Sequence, residues 1–110
     1  MLWELHTSGV EIKKGLREYI ERRLTFALSR FGPGVIKASV FLTDNNGPKG
    51  GIDKTCRIVV RLRGLNDVIA DVVDTDWPVT VDRATARAGH NVSRALERRR
   101  DFAHESVGGR

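Results

Sequence analysis

The most restrictive feature of the sequence is its last long amphipathic stretch, Asp76 to Phe102. Projected at about 100° per residue, Trp77, Val81, Ala84, Ala88, Val92, Ala95 and Phe102 fall on one side, which predicts a helix with a buried stripe. Arg83, Arg87, His90, Arg94 and Arg98 recur at steps of four, three, four and four. They form a second stripe, roughly 120° around the helix from the apolar one. Such a helix must lay one face on a core and hold a row of guanidinium groups in water. The row is either a phosphate-binding surface or an ordinary solvated face, and the pattern by itself leaves both open.

The rest of the chain must supply the core. Leu2 to His6 alternates, with Leu2 and Glu4 opposite Trp3 and Leu5, and predicts a first strand that Thr7-Ser8-Gly9 breaks. From Ile12 to Phe31 the period becomes helical, with Leu16, Ile20, Leu24, Ala27, Leu28 and Phe31 facing inward. Glu18 and Arg22 stand four apart on the outer face, the spacing of a surface ion pair. Gly32-Pro33-Gly34 ends this helix. Val35 to Thr43 predicts a second strand, with Ile36, Ala38, Val40 and Leu42 on one face and Lys37, Ser39 and Thr43 sharing the other with Val35 and Phe41. Asp44 to Lys54, rich in Gly, Asn and Pro, predicts a long hairpin loop. Thr55 to Arg63 is the clearest strand: Cys56, Ile58, Val60 and Leu62 alternate with Arg57, Val59, Arg61 and Arg63. After the tight connection Gly64 to Asp67, Val68, Ala70 and Val72 alternate with Ile69, Asp71 and Val73 in a fourth.

The expected fold is therefore α+β, in the order β-α-β-β-β-α. A four-stranded sheet forms one layer and both helices cover one of its faces. The strand order is not legible from the pattern. Residues 1–103 make one domain and 104–110 a short flexible tail.

Composition narrows the function classes. Nineteen Lys and Arg against fourteen Asp and Glu give a net charge of +5. Fourteen of those cations are arginine, the better bidentate partner for phosphate, although a genome that favours Arg codons gives the same excess. The single cysteine rules out a disulfide framework, and the N-terminus lacks the basic and apolar regions of a signal peptide. Apolar runs are far too short for a membrane span, so a cytoplasmic protein is expected.

Catalytic signatures are missing from the sequence. His6, His90 and His104 are scattered and hold no metal-ligand spacing with Cys56, and neither a nucleophile elbow nor a phosphate-binding loop is present. Asp71, Asp74 and Asp76 could hold Mg²⁺ for nuclease chemistry, but Asp76 also stands where a helix N-cap belongs, and the structural reading is preferred. No enzyme activity, cofactor, metal or small-molecule substrate is expected. Nucleic-acid binding is better supported, because cations occur on three elements: Arg22 and Arg23, the stripe of the last helix, and Arg57, Arg61 and Arg63 on the sheet. Most of the few aromatic residues fall on expected core faces, so shape and backbone recognition of structured RNA fits better than stacking on the sheet. A general double-stranded-RNA binder and a module for an acidic protein partner remain as alternatives.

The order of elements and the helix entries resemble the ribosome hibernation-promoting factor family, the ribosome-associated inhibitors, from Leu2 to about Arg100. The segment Val10-Glu11-Ile12-Lys13-Lys14-Gly15-Leu16-Arg17-Glu18-Tyr19-Ile20 is similar to that family's first-helix entry, with Lys13 where the family has a threonine cap. Asp76-Trp77-Pro78-Val79-Thr80-Val81-Asp82 and Arg87-Ala88-Gly89-His90-Asn91 resemble segments of its last helix. The resemblance implies a short, single-domain form that binds the small ribosomal subunit and 16S rRNA in the channel used by mRNA and tRNA. Off the ribosome it would be a monomer. It also implies that Arg22, Arg23, Arg83, Arg87, His90 and Arg94 carry the contact, with Arg98 joining them through the stripe.

Overall fold

The computed structural model describes residues 1–44 and 54–108, with side chains through residue 101. The elements run β1 (Leu2–Ser8), α1 (Lys14–Leu28), a 3-10 segment (Ser29–Gly34), β2 (Val35–Asp44), β3 (Lys54–Leu62), β4 (Val68–Asp74) and α2 (Trp77–Gly108). The four strands lie in the order β1-β2-β3-β4, with β1 parallel to β2 and the other neighbours antiparallel. A parallel pair needs a crossover, and α1 supplies it.

Alternation decides which sheet face α1 and α2 cover. Ala38, Val40 and Leu42 of β2, Cys56, Ile58 and Val60 of β3, and Ala70 and Val72 of β4 point to one side and are buried. They meet Ile20, Leu24 and Leu28 of α1 and Val81, Ala84, Ala88 and Val92 of α2 in one core. At about 25 cal/mol per Å² of apolar surface removed from water, this continuous cluster is the main force holding the two layers together. The small residues Ala84, Ala88 and Gly89 let α2 lie close. Thr80 and Thr85 are buried too, and their hydroxyls donate back to Asp76 O (2.6 Å) and Val81 O (2.8 Å), so neither is left unsatisfied.

Several boundaries differ from the sequence expectation, each for a local reason. Ile36, expected in the core, is 37% exposed. The β2–β3 register steps from Val35↔Leu62 to Lys37↔Arg61, so two steps on β2 match one on β3. Ile36 is the extra residue of that bulge, and the slip turns Val35 inward in its place. The first helix stops at Leu28, not Phe31, and tightens into the 3-10 segment. Gly32 inside that segment has φ 58°, a left-handed value that other residues adopt only with strain. The helix begins without a side-chain cap, because Lys13 at the N-cap position offers no acceptor. On its outer face Glu18 reaches back to Lys14 (4.0 Å), while Arg22 lies over the Tyr19 ring (5.9 Å), so the expected Glu18–Arg22 pair does not form. The second helix extends to Gly108, past the expected end at Phe102. Most of the stretch expected to loop between β2 and β3 falls in residues 45–53, outside the described part; at its base Lys54 pairs with Asp44 (3.2 Å). The side chains of Phe102 and His104 also lie outside it.

Candidate nucleic-acid interface

The basic residues divide into those held by the protein and those left to solvent. On the open face of the sheet the charges are mostly held. Arg57 makes a two-pronged pair with Asp71, Nε to Oδ1 at 2.7 Å and Nη2 to Oδ2 at 3.2 Å. Lys37 Nζ and His6 Nε2 both reach Glu4 Oε1, at 3.0 and 3.1 Å, and Ser39 donates to the same oxygen at 3.0 Å. His6 also stacks on Phe41 with ring centroids 4.8 Å apart. Arg63 lies just past β3, where its carbonyl accepts a bond from Arg99 (3.1 Å) and its Nε is 3.4 Å from Pro33 O. Arg61 alone of these three expected secondary contacts is exposed with no ion pair or hydrogen bond among the described residues.

Glu4 neutralises the β1–β2 part of this face, as Asp71 does the part around Arg57. Bonds from His6, Lys37 and Ser39, in that order of weight, lower its carboxyl from 4.5 to about 2. A carboxylate depressed in the folded state contributes stability above its unfolded value and loses it as pH falls through the folded one. A carbon-detected NMR titration should therefore place the Glu4 midpoint near 2, with the loss of His6 and Lys37 contacts running through the window below 4.5. A midpoint close to 4.5 would show that these contacts do not persist in solution.

On α2 the expected row divides in two. Arg83 pairs with Asp74 (Nη1 to Oδ2, 2.7 Å), whose carboxyl is lowered first by the backbone N–H of Thr75 and then by Arg83. Arg87 Nη1 donates to the carbonyl of Asp71 (2.6 Å), and Asn91 Nδ2 to that of Ile69 (3.2 Å). These two side chains fasten the helix to the outer strand of the sheet and satisfy carbonyls that an edge strand leaves open. Arg94 and Arg98 border the depression beside Asp67 and Ile69, and Arg100 follows them. All three are exposed and make no ion pair or hydrogen bond among the described residues.

His90 leaves the row altogether. It faces the groove between α1 and α2, together with Arg23 and Arg30. Arg23 is partly tied down: its Nε sits 3.2 Å from Asp82 Oδ1, without the geometry of a hydrogen bond, and its guanidinium lies 5.3 Å from the Phe26 ring centre. Tyr19 donates its hydroxyl to the same Asp82 oxygen, and that bond raises the Tyr19 pKa. Arg22 faces the other side of α1, beside Glu18 and Glu21. The structure thus gathers Arg94 and Arg98 in one place, Arg23 and His90 in another, and sets Arg22 apart from both.

Sequence reasoning missed Arg30, Arg100 and Phe26. The run Arg98-Arg99-Arg100 pointed to Arg100, although Arg99 inside it is spent on the Arg63 carbonyl. Phe26 lies outside the buried stripe of the first helix and is 77% exposed. Its place in the heptad-like pattern, between Leu24 and Ala27 but off the inward stripe, was the available signal.

The carboxylates weighed for Mg²⁺ do not converge. Asp71 serves Arg57, Asp74 serves Thr75 and Arg83, and Asp76 Oδ1 lies 3.5 Å from the Val79 N–H at the start of α2. Among the described residues no group of three or more His, Cys, Asp or Glu side chains is placed to share a metal ion. Burial pushes the Cys56 thiol up to about 12, so it holds no thiolate for nucleophilic chemistry near neutral pH. Among the described residues no helix is long and apolar enough to cross a membrane.

Comparison with known proteins agrees with this architecture. A ribosomal subunit interface protein from Coxiella burnetii superposes with a TM-score of 0.73, at 22% identity over 86% of this chain and 96% of that one. The N-terminal domain of Protein Y from Thermus thermophilus superposes with a TM-score of 0.70, at 27% identity over 84% of this chain and 96% of that one. No curated protein sequence gives a significant match. The family model described as sigma 54 modulation protein / S30EA ribosomal protein matches residues 4–100, nearly the whole β-α-β-β-β-α domain, and the chain belongs to that family.

Proposed function

We propose that the protein is a ribosome-associated translation inhibitor of the hibernation type, which binds the small subunit and lies against 16S rRNA in the mRNA and tRNA channel. The observation that carries the reading is the difference between the two basic surfaces. Cations on the sheet are mostly neutralised by neighbouring carboxylates, whereas Arg94, Arg98 and Arg100 on α2 have no partner among the described residues. Arg94 and Arg98, one turn apart, offer unpaired guanidinium groups that neutralise phosphates and release their counterions, and Arg100 adds a third on another side of the helix. The Coxiella protein, described as a ribosomal subunit interface protein, and the family membership support the ribosome as the partner. Inhibition on this reading is occupancy: a rigid two-layer domain fills space that mRNA and tRNA need. It requires no cofactor, metal or small-molecule substrate, and the protein off the ribosome is a monomer.

Cosedimentation with purified small subunits across a salt series tests the proposal. Affinity should fall linearly on a log–log plot, by about 0.7–0.9 for each phosphate neutralised. Plain duplex RNA should compete poorly. Equal competition by the duplex would favour a general double-stranded-RNA binder, and salt-independent binding would favour a protein contact.

A further inference from the structure

The surface of α1 carries a feature that the arginine row of α2 does not use. Phe26 is 77% exposed, more than any other large apolar side chain described, and takes no part in the core. Its surroundings are asymmetric in charge. Toward the outer side of α1 the neighbours are Glu18, Glu21, Arg22 and Thr25, two carboxylates against one guanidinium. Toward α2 the groove is lined by Arg23, Arg30 and His90, with no carboxylate among its walls. The Arg23 guanidinium lies against the ring, and Asp82 steadies it from the rim.

We infer that Phe26 is a stacking platform for one unpaired base of RNA, whose phosphate lies in the α1–α2 groove against Arg23, Arg30 and His90. This rests on the reading of the chain as an rRNA-binding protein and names the kind of nucleotide one part of its surface takes. A flat ring open to water offers a π-face to any base, and stacking of this sort is tolerant of sequence. On the outer side Glu18 and Glu21 outnumber Arg22, whereas the groove has no carboxylate in its walls, so the backbone runs on the groove side. Bases within a duplex are already stacked on both faces, so only a base from a loop, bulge or single strand can reach the ring. Protein partners bury exposed phenylalanine too, but a groove whose charged walls are all basic favours a polyanion.

The test uses the full chain and purified small subunits. Phe26→Ala should weaken binding roughly tenfold, as loss of one base stack does, while leaving the salt slope unchanged because no charge is removed. Phe26→Trp should bind as well as the parent, and Phe26→Leu as poorly as the alanine variant. The ring is outside the core, so all three should keep the parental melting temperature. Full binding by Phe26→Ala, or full rescue by Phe26→Leu, would overturn the stacking assignment. If in the first case the Arg94→Glu/Arg98→Glu double variant still loses binding, the rRNA reading survives without it. If that variant also binds normally, the rRNA reading has failed as well.

Discussion

Replacing Arg94 and Arg98 together by glutamate should weaken small-subunit binding by on the order of 100-fold at moderate salt, and should flatten the salt dependence by about two phosphate contacts. Both side chains are exposed and make no ion pair or hydrogen bond among the described residues, so the substitution removes nothing the fold relies on. Two attractions become two repulsions, and the melting temperature should move little. The matched comparison is Arg94→Gln/Arg98→Gln against Arg83→Gln/Arg87→Gln, which with the parent and the glutamate pair makes four proteins. Arg83 and Arg87 stand in the same sequence stripe but are engaged with Asp74 and with the carbonyl of Asp71. Their loss should cost less than tenfold in binding and show instead as a small loss of stability, because exposed pairs and bonds contribute about 1 kcal/mol or less each. Sedimentation of the four-way set at two salt concentrations checks the division. Equal losses from both pairs would mean that Arg83 and Arg87 leave the sheet edge on binding.

That division marks the limit of what the sequence made legible. Two-residue alternation in Thr55 to Arg63 names Cys56, Ile58, Val60 and Leu62, and the 3.6-residue period of the last helix names Val81, Ala84, Ala88 and Val92; all eight are buried, because the facing of a side chain follows from local backbone geometry. The bulge at Ile36 was not visible, since one inserted residue leaves the composition of the strand unchanged and alters only its pairing. The arginine stripe was legible as a stripe but not as two populations. Whether a guanidinium is free depends on what lies beside it in space, and Asp71 and Asp74 come from a strand whose position in the sheet the sequence did not reveal. His90 shows the same limit at finer scale. A helical projection puts it within a few tens of degrees of Arg83, yet packing of α1 beside α2 makes that small difference decisive, and the imidazole enters the groove with Arg23 and Arg30. Phe26 escaped for the opposite reason, as an aromatic residue is expected inside unless something outside uses it.

A large effect on stability outside the sheet should come from Gly89, where α2 lies close against Ala27 of α1. Gly89 is buried, and a Cβ built there lies 3.1 Å from the carbonyl oxygen of Ala27 and 3.6 Å from its Cβ. Glycine in a helix interior costs about 1 kcal/mol relative to alanine, so its presence in α2 needs a packing reason, and this contact is one. Gly89→Ala sets the gain in helix propensity against a contact a few tenths of an ångström too tight, and should come out near neutral. Gly89→Leu adds a branched side chain where there is no room and should cost about 3 kcal/mol, the upper end of overpacking. For a domain of this size that corresponds to a melting temperature lower by roughly 10 °C or more. Ala27→Gly should not rescue it, because the closest obstacle is the backbone carbonyl, which that change leaves in place. Thermal unfolding of the single and double variants decides the matter, and a Gly89→Leu protein that melts with the parent would show that the two helices separate freely. In that outcome the groove that joins Phe26 to Arg30 and His90 would be widened, and the variant would lose the Phe26-dependent part of binding while keeping the salt slope set by Arg94 and Arg98.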